Sequence, residues 1–140
     1  MTLAGWVIET LRSALPAGVL VYDNAVPDDG VEAQPPERYV VVWMPSPTRG
    51  TESVSAQSTD RLTRWQITCV APTRGMAGWL SERVCDALVD QTPDVDGWSC
   101  GPVRHLMSYQ PETQDLVLAR QAVAVMDRFE LLAHDLGESS

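Results

Sequence analysis

Apolar residues recur along the chain at two spacings, and the switches between them mark out the elements. Leu3, Val7, Leu11 and Ala14/Leu15 repeat at helical spacing with Trp6 beside them, while Glu9, Thr10, Arg12 and Ser13 fall elsewhere, so a first helix runs to about Leu15. Thr2 is placed to cap it, and Pro16 and Gly18 stop it. Val19 to Tyr22 reads as a short buried strand. The polar stretch Asp23 to Pro36, with its prolines and glycine, then predicts a long loop.

Arg38 to Met44 (RYVVVWM) is a β-branched and aromatic run, which favours a pleated, half-buried surface and makes the firmest strand of the sequence. Pro45 and Pro47 end it. The segment Ser46 to Thr59 has almost nothing to bury and reads as a mobile excursion. From Leu62 to Ala71 the period is two: Thr63, Trp65, Ile67 and Cys69 share one face, and Arg64, Gln66 and Thr68 the other. These two strands form a hairpin with a long polar tip.

Thr73 is positioned to cap a second helix reaching about Asp90, with Met76, Leu80, Val84, Ala87 and Leu88 on one stripe, broadened by Trp79 and Cys85. A turn over Thr92 to Gly97 leads into a strand near Trp98 to Tyr109, where Pro102 argues for an edge position or a bulge. The last strand, about Arg120 to Ala133, puts Val123, Val125, Phe129 and Leu131 on one face with Asp127 interrupting it. The order helix, strand, strand, strand, helix, strand, strand predicts an α+β sandwich: a mostly antiparallel sheet with two amphipathic helices packed on one face. Residues 1–134 form a single domain and 135–140 a polar tail.

Composition narrows the function. The 140 residues, 44% of them apolar, suffice for one core. No run approaches the roughly 18 apolar residues of a membrane span, and the opening Met-Thr-Leu-Ala-Gly-Trp lacks the charged start of a secretion signal, so no membrane partner and assembly in the cytoplasm are expected. The net charge of −9 disfavours tight wrapping of nucleic acid but suits a surface past which DNA slides. All ten basic residues are arginine, which removes Schiff-base, P-loop and general-base lysines.

Little catalytic chemistry is visible. Cys69, Cys85 and Cys100 lie on three different elements without the close pairing of a zinc knuckle or redox motif, and read as buried, reduced thiols. A metal site would need Cys85, Cys100 and His105 to converge with a fourth ligand, and their spacing does not ask for it. No serine sits in a nucleophile elbow to serve His105 or His134. The acidic groups at Asp28-Asp29, Asp94-x-Asp96 and Glu112 to Asp115 lack the glycine and closing glutamate of a calcium loop. No catalytic residue, cofactor or metal is therefore expected. Most of the five tryptophans (6, 43, 65, 79 and 98) fall in regular elements at positions that fit the core, yet five is a high number for one small domain, and aromatic and arginine residues also anchor interfaces. Arg49, Arg61, Arg64, Arg74 and Arg83, with Asp28 and Asp29, are the candidate interface residues.

In order and pattern the chain resembles the tail terminator proteins of long-tailed, siphovirus-like bacteriophages. The residues that carry the resemblance are Leu11 to Pro16, Val19 to Tyr22, Tyr39 to Val42, Arg64 to Ile67, Met76 to Leu88 and Arg120 to Leu131. Membership would imply a ring homo-oligomer, usually hexameric, at the head-proximal end of the virion tail. It would cap the tail tube protein, stop its polymerisation and present a joining surface to the head-tail connector protein, while DNA passes through the lumen without specific binding. The resemblance also implies a fold similar to the tube subunit. A head-tail connector or head-completion subunit is the nearest alternative. A ferredoxin-like ligand-binding or enzymatic module with an unrecognised pocket is a third, for which Trp43, Trp65 and His105 would be the residues to examine.

Overall fold

The computed structural model describes residues 1–24, 38–45, 60–109 and 123–135. In chain order the elements are α1 (Leu3–Ala14), β1 (Leu20–Asp23), β2 (Tyr39–Trp43), β3 (Asp60–Ala71), α2 (Arg74–Leu88), β4 (Trp98–Cys100), β5 (Arg104–Tyr109) and β6 (Val123–Asp135). Both helices start where the sequence places them. Thr2 Oγ1 accepts from the Gly5 N–H at 3.0 Å and Thr73 Oγ1 from the Met76 N–H at 3.2 Å, each satisfying an amide that the first turn leaves without an intrahelical partner.

The strands form one curled α+β sheet in the order β1-β2-β3-β6, with β4 and β5 both pairing the far side of β6. Its backbone is the β3–β6 ladder, in unbroken antiparallel register from Asp60↔His134 to Ala71↔Val123. The sheet is mixed, not built from hairpins throughout, because β1 runs parallel to β2. Parallel neighbours need a connection long enough to carry the chain back to the starting edge; residues 24–38 between the two strands supply that length. At the end of β1, Asn24 takes a left-handed φ of 54°, and its side-chain oxygen accepts from the Met44 N–H at 2.9 Å.

One face of the sheet carries the main core. Val7 and Leu11 of α1 and Leu80, Val84 and Leu88 of α2 meet Val40, Val42, Ile67, Cys69, Phe129 and Leu131, all buried. Trp65 stacks on Phe129 at 5.9 Å between ring centroids. The opposite face is apolar at one end only, where Tyr39, Val41, Val70 and Ala124 are buried with Tyr22 and Trp43 packed against them. Thr68, expected on a polar face, is buried there because its Oγ1 accepts from the Trp43 indole N–H at 3.0 Å.

The strand expected from Trp98 to Tyr109 is two strands. Between them the Gly101 N–H donates to the Leu132 carbonyl at 2.8 Å and the Val103 N–H to the Gln91 carbonyl at 2.9 Å. Pro102, which has no N–H for a ladder, sits at the break, and Val103 is fully buried. The second helix ends at Leu88, and β6 runs to Asp135, beyond its expected end, because its last residues pair with β4. The polar segment 46–59 and the stretches 25–37, 110–122 and 136–140 lie outside the described residues.

Candidate functional site

Asp127 does more than interrupt an apolar face. It lies on the core side of β6 between Val125 and Phe129, and its side chain is fully buried. A carboxylate out of water must be compensated by donors, and three elements provide them. From α2, Ser81 Oγ donates to Asp127 Oδ2 at 2.7 Å. From β5, Ser108 Oγ donates to Oδ1, and His105 Nε2 lies 3.0 Å from the same oxygen. The Cys85 thiol of α2 stands 4.0 Å from Oδ1. The His105 ring also packs against Phe129, with 5.3 Å between centroids.

A serine, a histidine and a buried aspartate within hydrogen-bonding distance invite comparison with a hydrolytic triad. The geometry argues against it. Such a relay uses the two imidazole nitrogens for different partners, one oriented by the carboxylate and the other facing the nucleophile. Here Nε2 serves both Asp127 and Ser108, at 3.0 Å each, and the Ser108 hydroxyl is already spent on the carboxylate. The thiols are equally unsuited to attack. Burial, reinforced by Asp127, pushes Cys85 up to about 12 and raises Cys69 well above the ordinary thiol value, so neither forms the nucleophilic thiolate near neutral pH. Cys100, on β4, is also raised, first by burial and then by Asp94.

The candidate interface residues are scattered. Arg64 pairs with Glu130, its register partner across the β3–β6 ladder, at 3.1 Å. The Arg61 guanidinium lies 4.9 Å from the Trp98 ring centroid. On α2, Arg83 pairs with Asp86 at 3.1 Å and lies over exposed Trp79, while Arg74 is exposed at the first turn. Asp28, Asp29 and Arg49 lie outside the described residues. Trp43, Trp65 and His105 do not line one pocket: Trp43 packs on the outer face, and Trp65 and His105 flank Phe129 on the helix side.

The more continuous exposed surface is one the sequence does not single out. Every residue of β5 is exposed. Leu106, Met107 and Tyr109 are among the large apolar side chains left in solvent, and a bulge breaks the pairing with β6 between His105 and Met107. Nearby on the sheet's outer face, Leu62 and Leu132 face each other across the ladder, both exposed, above a groove lined by Cys100, Pro102, Arg104 and Glu130.

Two helices on one face of a six-stranded mixed sheet are also the architecture shared with solved structures. A chain from a structure described as the virion of a native gene transfer agent particle superposes with a TM-score of 0.67 at 16% sequence identity, over 95% of this chain and 95% of that one. A second solved chain matches with a TM-score of 0.58 at 12% identity, over 98% of this chain and 94% of the other. At such identities the likeness is one of fold. No protein-family profile matches the sequence, and no curated protein does.

Proposed function

We propose that this protein is a non-enzymatic structural subunit of a phage-type virion, and specifically the tail terminator that forms a ring at the head-proximal end of the tail tube. The observation that carries the reading is the end-to-end fold likeness to a chain of a gene transfer agent virion, which spans 95% of both chains. Two physical features agree with it. β5, which among the described residues pairs with β6 alone, carries exposed Leu106, Met107 and Tyr109 and offers the kind of surface that pairs with another subunit. The formal charge of −9 lets DNA pass a lumen with little adhesion.

The mechanism follows from symmetry. A tube grows through a contact that never closes along its axis, so growth stops only when the last ring offers a different upper surface. A subunit that keeps the tube's lower contacts but carries other loops supplies that difference, with the tube protein below and the connector above.

Deleting the gene tests the reading by electron microscopy. The expected outcome is free heads with overlong or headless tails. Tails of normal length, detached from heads that leak DNA, would instead assign the protein to the head-tail connector.

A further inference from the structure

We propose that Cys85, His105 and Asp127 hold one zinc ion, which pins α2, β5 and β6 together. Their ligand atoms, one sulfur, one nitrogen and one oxygen, all lie within 4.8 Å of one another. For metal bonds of roughly 2.0–2.3 Å, tetrahedral neighbours sit roughly 3.3–3.6 Å apart. The separations of 3.0 Å between His105 Nε2 and Asp127 Oδ1, and of 4.0 Å between Cys85 Sγ and the same oxygen, bracket that spacing. The Cys85 to His105 separation is no more than 4.8 Å, so closing all three ligands on one ion asks for side-chain movements of up to on the order of 1 Å.

The surroundings are those a metal site requires. Ser81 holds the other carboxylate oxygen, Oδ2, at 2.7 Å and turns Oδ1 toward Cys85 and His105. Phe129 packs against the imidazole and limits its rotation. Supporting contacts of this kind orient ligands and are as much part of a site as the ligands themselves. Access exists as well: the His105 side chain is 31% exposed and Cys85 only partly buried, while Asp127 lies at the bottom.

The donor set selects the ion. A mixture of thiolate, imidazole and carboxylate suits zinc and not magnesium or calcium, which prefer oxygen alone. On binding, the Cys85 proton passes to solvent, and the neutral His105 imidazole carries its single proton on Nδ1 so that Nε2 presents a lone pair to the ion. The Ser108 hydroxyl, which now contacts both Asp127 Oδ1 and His105 Nε2, has to turn aside, and solvent supplies the fourth ligand.

The experiment is equilibrium dialysis of the purified full-length protein against zinc, with cobalt(II) as a spectroscopic substitute. The expected result is one ion per chain and a cobalt–thiolate charge-transfer band. Cys85→Ser should remove the band and weaken binding by at least about tenfold, and Cys100→Ser should change neither. His105→Gln, on an exposed edge strand, gives the same loss without touching the helix. Circular dichroism checks that each variant is folded. Failure of the wild type to retain zinc, or zinc uptake unchanged in Cys85→Ser and His105→Gln, overturns the proposal and leaves the cluster a closed hydrogen-bonded network. Tail assembly is not a readout here, so the result stands apart from the terminator assignment.

Discussion

β6 is paired on both sides, and β3 and β5 are held to it by different physics. Toward β3 it makes an unbroken ladder whose inward side chains, Trp65, Ile67 and Cys69 against Val125, Phe129 and Leu131, are buried beneath the helices. Toward β5 the pairing is short and bulged, and all six β5 residues are exposed. The first contact is maintained by apolar area removed from water, and the second by the convergence of His105 and Ser108 on Asp127. One side of a strand can thus be fixed by packing and the other by a polar cluster, and the two sides should respond differently to substitution.

The largest effect belongs to the packed side. Phe129→Ala removes the ring between Trp65 and His105 and should cost about 3–5 kcal/mol of unfolding free energy, read from urea denaturation. Asp127→Ala leaves the Ser81, His105 and Ser108 groups without their common acceptor and should cost about 1–3 kcal/mol. Its signature is locality. Hydrogen exchange should accelerate at β5 amides well before those of β3, and equal acceleration across both strands would show that the edge is not held by the cluster. Thr73→Ala, which removes the N-terminal cap of α2 about two turns before Ser81, should cost about 1 kcal/mol and leave the β5 pattern unchanged. The smallest effect is expected at Arg64→Ala. That exposed pair with Glu130 contributes under about 1 kcal/mol, so a larger loss by double-mutant cycle would mean the ladder depends on charge as well as on packing.

The same contrast explains what could be read in the sequence. Both helices and β3 were legible because each carries a local signal: a threonine cap in front of a 3.6-residue stripe, or strict alternation around Trp65, Ile67 and Cys69. The parallel β1–β2 pair was not, since the direction of pairing depends on how residues 24–38 return and not on the composition of either strand. The division of β4 from β5 was hinted at by Pro102 but is decided by backbone bonds to Leu132 and Gln91. The Asp127 cluster was least visible of all. Ser81, Cys85, His105 and Ser108 come from two elements far from Asp127 in sequence, and no local spacing records their meeting. A lone acid at an inward position of an otherwise apolar strand was the available signal.

The placement of β6 also constrains the order of events during synthesis. The strand that lies between β3 and the β4/β5 edge is the last described element to be made, so until it emerges β3 has no partner on one side and β4 and β5 have none in the sheet. On the ribosome, α1 through β5 can prefigure local structure but cannot close the main core, because Val125, Phe129 and Leu131 are still missing from it. Until residue 131 and its neighbours are free of the ribosome, the inward face of β3 lacks Val125, Phe129 and Leu131, and β5 lacks its β6 partner.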